Sequence, residues 1–434
     1  MDYSQFPARD IAIVDMKSFY ASIECVRRNL NPLTDYLAVA GNTQRNGSVI
    51  LAATKKFKEM GIKTGSRLYD IPEEFRKYVV SPNMQLYIDV SVNITRLLNQ
   101  YVPIDDIFVY SIDEQFIDLT SCSSLYTPYE AITDIKQAIF NSFGLPSAWG
   151  LGDNPFLAKV ALDIYAKKEP SGIAEIRYSD VPNKLWTIEN LADVWGIGNR
   201  TKENLARLGI KSLYEIAHYP VGKLEKRFGI LGREWFLHSW GIDTSVFNGL
   251  FIPYNSVGSN MGKLSKTKGY GRGQTLLRDY TIVEAKTILL ELCEETMRQV
   301  RLHKFVGKTV SITVNYSRDV AVDGFNRSMT VQEPFNETLK MYNIALTIYQ
   351  RFIENYPIRY ISVRLTNLSK DTDTFQMSLF DPNGFRKKKL GFVMDAIREK
   401  HGSASLVRAC SLTSAGTTVE RSRLVGGHQA NEHS

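Results

Sequence analysis

The segment VYSIDEQFID, residues 109–118, places two adjacent carboxylates inside an otherwise apolar run. Asp113 and Glu114 repel each other, and burying a carboxylate costs several kcal/mol unless another group compensates its charge. The flanks DDIFVYS and EQFIDLT are typical of strands, so residues 105–120 are predicted to form a β-hairpin. Asp and Glu are ordinary turn residues at a surface, but the apolar flanks favour a buried turn in which another group cancels the charge.

A third acid is predicted to join this pair. The run IAIVD, residues 11–15, is apolar and β-branched, which indicates a buried strand that ends at Asp15. In a β-α-β-β sheet that strand can lie beside the hairpin. Three carboxylates at the ends of adjacent strands favour a hard divalent cation such as Mg²⁺. Two such ions ~4 Å apart would support phosphoryl transfer.

The order of the predicted elements indicates a multidomain α+β protein, because 434 residues exceed what one hydrophobic core normally serves. A strand, a helix, two paired strands, a helix at 129–144 and a further strand near 147–152 predict a ferredoxin-like sheet, and a second amphipathic helix is predicted at 154–168. After it, short helices separated by glycine turns predict an all-α unit, and a separate α+β domain follows. The helices and strands predicted for that domain, and the helix of a polar C-terminal tail, are 281–300, 337–356, 309–317, 359–369 and 388–401.

Composition excludes several classes of protein. No segment approaches ~18 uninterrupted apolar residues, so a membrane span is not expected, and the first residues lack a secretory signal. The four cysteines form no CxxC pair, which excludes a zinc ribbon and fits a cytoplasmic protein. No histidine cluster or nucleophile elbow offers a candidate for zinc hydrolysis or covalent catalysis. The formal charge of +7 biases the chain weakly towards nucleic acid.

Three motifs in order carry a resemblance to a known family. VDMKSFYASIE (14–24), YSIDE (110–114) and LGDNPFLAKVALDIYAKKEPSG (151–172) resemble the successive motifs of the Y-family translesion DNA polymerases. FYASIE with MGIKTGS (60–66) resembles the UmuC-like branch, including its Gram-positive bacterial relatives, and the likeness covers roughly the first 370 residues. It implies a ferredoxin-like palm (1–26 and 83–174), small fingers (27–82), an all-α helix-hairpin-helix thumb (175–243), a linker (244–258), an α+β little finger domain (259–369) and a C-terminal tail (370–434).

The resemblance implies a metal site at the acids. Asp15, Asp113 and Glu114 would be the catalytic ligands of two Mg²⁺ ions, with Mn²⁺ as a substitute, and Met16 would contribute its backbone carbonyl. Many relatives carry a second Asp where Lys17 stands, but that residue is not needed as a ligand.

The resemblance also implies a site for the incoming dNTP. Tyr20 would be the steric gate that excludes the 2′-hydroxyl of a ribonucleotide, although a tyrosine one turn after a strand is also a common core residue, as Phe19 beside it would be. Lys58 and Lys159 would bind the triphosphate. Lys55 stands where many relatives have a tyrosine that packs on the triphosphate, so its role is open.

DNA contacts are implied in two segments. VWGIGNRTKENLARLGI (194–210) fits a helix-hairpin-helix whose Gly196 and Gly198 let backbone N–H groups approach a phosphate of the primer-template DNA. A lone GIG could also be any tight turn between helices. The basic stretch KLSKTKGYGR would track the DNA backbone through Lys263, Lys266, Lys268 and Arg272. The alternative is that this stretch is only a charged, solvent-exposed loop.

One short peptide predicts a protein partner. QMSLF (376–380) resembles the peptide that binds the bacterial sliding clamp, with Gln376 as a polar anchor and Leu379 and Phe380 filling an apolar pocket. The alternative is that this peptide packs back on its own domain. Some relatives require accessory subunits, and the tail would be a natural docking site for them.

The function implied is an error-prone, template-directed DNA polymerase for translesion synthesis and DNA repair. Two metal ions would promote nucleotidyl transfer from a dNTP to the primer 3′-hydroxyl, without proofreading, in a cytoplasmic protein that is nucleoid-associated when engaged. A catalytically weak DNA- and clamp-binding accessory paralogue is the main alternative, although the intact acidic triad argues against it. A two-metal nuclease is a further one, and it leaves Tyr20 without a purpose.

Overall fold

The computed structural model describes residues 1–122, 127–245, 267–372 and 384–430, without the side chains of Leu277 and 384–388. These residues form two compact units. The first comprises the described residues up to Ser245 together with 428–430, and the second those from 267 to Gly427. In this part of the chain no helix combines the length and apolar character that crossing a membrane requires.

A five-stranded sheet forms the centre of the first unit. Its middle strand, β1 (Ile11–Met16), is almost wholly buried and is antiparallel to both neighbours. The predicted hairpin is confirmed, because Ile107–Val109 pairs with Glu114–Asp118. The edge strand Ile173–Ile176 was not predicted, since four residues before the all-α segment carry little periodicity. The strands of the unit are β1, β2 (Ala38–Ala40), β3 (Ile50–Ala53), β4 (Val79–Val80), β5 (Ile107–Val109), β6 (Glu114–Asp118), β7 (Ser147–Gly152) and β8 (Ile173–Ile176), and the central sheet has the order β5-β6-β1-β7-β8.

One helix that packs against this sheet has a clear cap at each end. The helix predicted at 129–144 spans Pro128–Phe143, begins with a capping box between Thr127 and Glu130, and ends at Gly144, whose φ of 66° is left-handed. The helices of the first unit are α1 (Phe19–Arg27), α2 (Lys55–Glu59), α3 (Met84–Leu98), α4 (Pro128–Phe143), α5 (Pro155–Val160), α6 (Asn199–Ala206), α7 (Leu213–Ala217), α8 (Val221–Phe228) and α9 (Ile230–Ser239).

Two glycines let α5 lie directly on the central sheet. A Cβ on Gly150 would meet the carbonyl oxygen of Ala158 at 2.1 Å, and one on Gly152 would meet the amide nitrogen of Ala158 at 2.6 Å. Side chains at these β7 positions would therefore push α5 away from the sheet. The helix continues as a π-helical segment, Ala161–Ala166, where a regular helix over 154–168 was predicted.

Two smaller cores complete the first unit. Strands β2, β3 and β4 form a three-stranded sheet of order β3-β2-β4, and α2 buries Phe57 against it. Helices α6 to α9 share an apolar core with the buried faces of α5 and β8, including Leu205, Leu224 and Trp235. This core confirms the predicted all-α segment after the first sheet.

Ionisable side chains are buried in the all-α segment. Glu234 and His238 lie four residues apart on α9, and the His238 ring stacks on Phe156 at 4.2 Å. Burial, together with the nearby Asp243 carboxylate, raises the pKa of Glu234 to about 7. Burial lowers the pKa of His238, against the opposing effect of Asp243.

Glu234→Gln is expected to change how stability depends on pH. The native protein binds the Glu234 proton more tightly than the unfolded chain does, so this stability is present below the unfolded pKa and is lost as the pH rises to about 7. Urea unfolding should show wild type losing on the order of 1–3 kcal/mol relative to Glu234→Gln between roughly pH 5 and 8. The control is Glu203→Gln, which changes an exposed carboxylate on α6. If the unfolding free energies of wild type and Glu234→Gln changed in parallel with pH, the expectation would be contradicted.

The second unit is a four-stranded antiparallel sheet with two long helices on one face. The predicted helices and the strands at 309–317 and 359–369 are confirmed, whereas two strands were missed because glycines and charged residues interrupt their alternation. The elements are β9 (Gly269–Tyr280), α10 (Ile282–Leu302), β10 (Phe305–Tyr316), β11 (Phe325–Phe335), α11 (Thr338–Phe352) and β12 (Ile358–Lys370), with sheet order β11-β10-β12-β9.

The C-terminal segment packs on α10 of this unit. The buried Arg301 donates to the Asp395 carboxylate at 2.6 and 3.1 Å. Glu294 accepts from Arg398 at 3.2 Å and from Arg408 at 2.9 Å. Polar composition predicted a tail with one helix, and these ion pairs hold Asp395, Arg398 and Arg408 of that tail against α10. Its elements are α12 (Gly384–His401), α13 (Thr418–Arg421), β13 (Leu424–Val425) and β14 (His428–Gln429).

Candidate active site

Three carboxylates converge at the end of β1. Asp15 pairs in register with Glu114 on β6, and carboxylate oxygens of Asp15, Glu114 and Asp163 all lie within 4.8 Å of one another. Asp163 belongs to the π-helical segment and was not among the predicted site residues. The sheet therefore brings together two of the three predicted acids and adds a third from the neighbouring helix.

Asp113 sits in the hairpin turn beside this group. Its carboxylate accepts a hydrogen bond from the Ser111 hydroxyl at 2.7 Å, and the same hydroxyl accepts from the Glu114 amide at 3.1 Å. Its carbonyl oxygen accepts from the Met16 amide at 3.0 Å, which ties the turn to the end of β1. Burial raises the pKa of Asp15, and the Lys167 ammonium group lowers it. The nearby Asp113 carboxylate also raises that pKa.

Two lysines offset part of the negative charge of the acids. Lys159 forms an ion pair with Glu114 and another with Asp163 at 3.2 Å. Lys167 contacts Asp15 at 2.7 Å and Asp163 at 2.8 Å. Lys159 was predicted at the site and Lys167 was not. The four-residue spacing of Lys159, Asp163 and Lys167 is the signal that could have found the other two.

The acids and lysines perturb one another's protonation. Burial raises the pKa of Asp15 and of Glu114, and the ammonium groups of Lys167 and Lys159 respectively oppose that shift. Burial alone would lower the pKa of Lys167, but Asp15 and Asp163 outweigh it and hold the pKa above its ordinary range. The site is therefore an ion-pair network in which Asp15, Glu114 and Asp163 each contact a lysine.

The π-helical segment brings Lys167 to this network. Lys167 follows Lys159 by eight residues, and in a regular α-helix that spacing would rotate it by about 80° around the helix axis from Lys159. A π-helical turn accommodates one extra residue. Lys167 therefore takes the place of an i+7 residue, which lies on the same helix face as residue i.

The donor set fits a divalent metal ion. Mg²⁺ prefers carboxylate oxygens, and three of them are grouped without a competing histidine or cysteine among the described residues of the cluster. Asp15, Glu114 and Asp163 could hold such an ion directly, with Asp113 beside them. The carbonyl of Met16 belongs to the last residue of β1.

Tyr20 is held in place by a chain of contacts beside the acids. Its ring stacks on Tyr87 of α3 with centroids 4.4 Å apart, and the Tyr87 hydroxyl donates to Glu24 at 2.9 Å. Burial raises the pKa of Tyr20, and the Asp113 carboxylate adds to the shift, which places Tyr20 near the hairpin. Phe19 is buried, as predicted for a core aromatic.

The two lysines of α2 differ in their surroundings. Lys58 donates to the Ser18 hydroxyl at 2.8 Å, and burial lowers its pKa against the attraction of Asp15. Ser18 itself has a left-handed φ of 52°, which turns the chain sharply from β1 into α1. Lys55 lies 3.9 Å from Glu59 on the exposed surface of the helix. Lys58 therefore faces the acids and Lys55 forms a surface pair.

The glycine turn predicted for the helix-hairpin-helix lies at the start of α6. Gly196 has a left-handed φ of 88°, and Gly198 is the N-cap of α6. No described atom lies within 4 Å of a Cβ added to either glycine, so the backbone is open to a ligand. Trp195, which sequence reasoning missed, donates to the Tyr110 hydroxyl at 3.1 Å and joins this turn to the catalytic hairpin.

The remaining predicted residues belong to the second unit or to undescribed segments. Lys268 and Arg272 are exposed, and Arg272 pairs with the buried Val363, so it lies on the side of the sheet that carries the helices. Lys263 and Lys266 lie outside the described residues. Gln376, Leu379 and Phe380 of the clamp-binding peptide also lie outside them.

Comparisons with known proteins identify the class. The impB/mucB/samB family matches residues 14–163, its C-terminal domain matches 267–379, and the IMS family HHH motif matches 178–210. A Y-family DNA polymerase chimera, Dbh-Dpo4(243-245)-Dbh, has a similar fold, with a TM-score of 0.60 and 21% identity over 82% of this chain and 98% of that one. The fold is thus that of a Y-family polymerase.

Full-length relatives are closer in sequence. The putative UV-damage repair protein UvrX of Bacillus subtilis (strain 168) is 45% identical over 432 residues, covering 99% of this chain and 100% of the relative. DNA polymerase IV 2 of the same organism is 36% identical over 422 residues, covering 96% and 98%. The chain belongs to the impB/mucB/samB family, and its fold is that of the Y-family DNA polymerases.

Proposed function

We propose that this protein is an error-prone, template-directed DNA polymerase that extends primers past damaged bases. The observation that carries the proposal is the group of Asp15, Glu114 and Asp163, compensated by lysines and placed beside Tyr20. Residues 1–26 and 83–174 would be the palm, 27–82 the fingers, 175–243 the thumb and 259–369 the little finger, joined by a linker at 244–258.

The reaction would be nucleotidyl transfer. The primer 3′-hydroxyl attacks the α-phosphate of a dNTP, and pyrophosphate leaves. Two bound Mg²⁺ ions, or Mn²⁺ in their place, would supply charge stabilisation for the attacking and leaving oxygens. Asp15, Asp113 and Glu114 would hold them, with the Met16 carbonyl as a further ligand.

The lysines would serve the triphosphate. Lys159 and Lys167 are bound to the acids in this structure, and a cation at those acids would leave both ammonium groups available to phosphate oxygens. Lys58, on the other side of Asp15, would reach the same triphosphate. Three point charges of this kind bind a polyphosphate without fixing one geometry.

A primer labelled at its 5′ end separates this proposal from its rivals. With Mg²⁺ and all four dNTPs, we expect longer products on an undamaged template and on one with an abasic site, each starting from the primer end. Shortened products would instead identify a two-metal nuclease. Binding of DNA without any change in primer length, in protein shown to be folded, would identify an accessory paralogue.

We also propose that a bacterial sliding clamp binds the peptide Gln376–Phe380. Replacing both Leu379 and Phe380 with alanine should abolish the stimulation of synthesis by the clamp and spare basal extension, because the two side chains would fill an apolar pocket of the partner. Primer extension with and without clamp measures both quantities. Met377→Ala within the same peptide is the control, and clamp pull-down that survives the double change would contradict the proposal.

A further inference from the structure

A second cationic site lies outside the carboxylate cluster. A cleft of about 450 Å³ opens between α4, the end of β1 and the turn that precedes β8. Lys17 and Lys136 both line it, and none of the described residues that line it is an Asp or a Glu. Neither lysine is used by the acids and lysines of the catalytic network described above.

The two ammonium groups point at the same place. A Cβ built on Gly172 would lie 3.0 Å from the Nζ atom of Lys136 and 3.6 Å from that of Lys17. The two Nζ atoms are therefore no farther apart than the sum of these two distances. Burial lowers the pKa of Lys136, and the positive charge of Lys17 lowers it further.

Backbone geometry keeps this arrangement open. Gly172 has a left-handed φ of 67°, which disfavours any side chain there, and a Cβ would also crowd the Lys136 ammonium group. Lys136 also donates to the carbonyl oxygen of Ser171, which fixes its position. Two like charges held together in a half-buried cleft, with no acid lining it among the described residues, favour an anion over a cation as the ligand.

The rim of the cleft is apolar and aromatic. Tyr129 and Phe140, both 49% exposed, project from α4, and Leu33 lies at the same opening. Exposed aromatic faces next to paired ammonium groups match a ligand with an anionic end and a flat π-system. A phosphorylated nucleoside has both parts.

We propose that the cleft lined by Lys17, Lys136, Tyr129 and Phe140 is a nucleotide-binding site separate from the polymerase active site. The phosphate would bind the two ammonium groups, and the base would lie against the aromatic rim. The nucleotide could come from two sources, a free nucleotide or a single-stranded segment of DNA. The inference does not depend on the proposed polymerase activity, because it concerns binding at other residues.

Binding in EDTA tests the site apart from the active site. Without divalent cations, Lys159 and Lys167 stay paired with carboxylates, so the catalytic network competes weakly for phosphate. We would titrate fluorescent dATP and, separately, fluorescent (dT)8 into wild type, Lys136→Gln and the double variant Lys17→Gln with Lys136→Gln. We expect the double change to weaken binding of at least one probe by about tenfold or more.

Matched variants make the outcome decisive. Lys63→Gln, at an exposed lysine that does not line the cleft, should leave binding in EDTA within about twofold. Tyr129→Ala should weaken binding of the probes relative to wild type. Tyr129→Phe, which keeps an aromatic ring, should bind them more tightly than Tyr129→Leu, which does not. Loss of dATP binding alone would identify a free nucleotide as the ligand, and loss of (dT)8 binding alone a DNA strand. Unchanged binding of both probes by the folded double variant would overturn the proposal.

Discussion

Asp15→Asn is expected to reduce the rate of single-nucleotide primer extension by at least about 10²–10³-fold. Asparagine keeps the shape of the side chain at the end of β1 but removes the charge that would hold a metal ion and that contacts Lys167 at 2.7 Å. The effect should fall on kcat, because charge stabilisation matters most when the phosphates react. Rapid-quench measurement of one dNTP addition with Mg²⁺ gives the rate directly.

Two controls separate a chemical effect from a folding effect. Asp105→Asn removes an exposed carboxylate of the same unit and should keep the wild-type rate within about twofold. Binding of primer-template DNA, followed by fluorescence anisotropy, should be similar in all three proteins. An Asp15→Asn protein that binds DNA and extends the primer at the wild-type rate would remove Asp15 from the catalytic group.

Tyr20→Ala is expected to relax the choice between deoxyribonucleotides and ribonucleotides. The Tyr20 ring is held by stacking on Tyr87, which is in turn held by Glu24, so it cannot easily move aside for an extra hydroxyl group. Forcing an atom into occupied space costs about 1–3 kcal/mol, so incorporation of a ribonucleotide relative to its deoxy form should rise by about 5- to 150-fold. The measurement is kcat/KM for each nucleotide opposite the same template base.

Other tyrosines supply the controls for this prediction. Tyr69→Ala replaces an exposed tyrosine of the same unit and should leave sugar selectivity unchanged. Tyr87→Ala should raise ribonucleotide incorporation less than Tyr20→Ala does, because it frees the ring without removing it. Unchanged selectivity in Tyr20→Ala would exclude Tyr20 as the gate.

Much of the fold could be predicted from local patterns. The apolar run that ends at Asp15 and the hairpin that carries Glu114 are continuous in sequence, and both form the strands expected of them. The missed strands β8, β9 and β11 are short, glycine-containing or charged, and they become strands only through pairing with a neighbour. Periodicity cannot report such tertiary pairing.

The site residues on the strands were predicted from the sequence, whereas Asp163 and Lys167 on the helix were not. Asp15 and Glu114 meet because β1 and β6 pair, which the topology of the sheet already implied. Asp163 and Lys167 follow Lys159 at spacings of four and eight residues, in a helix that becomes π-helical where a regular helix was the expectation. Of the two carboxylates at residues 113–114, Glu114 is compensated by an ion pair with Lys159, and Asp113 accepts a hydrogen bond from the Ser111 hydroxyl.

The most direct measurement is single-nucleotide primer extension with Mg²⁺ on four templates that differ only in the templating base. We predict that wild-type protein adds the complementary dNTP fastest on each template, and that Asp113→Ala adds little on any of them. Addition that ignores the template base, or equal extension by wild type and Asp113→Ala, would contradict a template-directed polymerase whose chemistry depends on these acids.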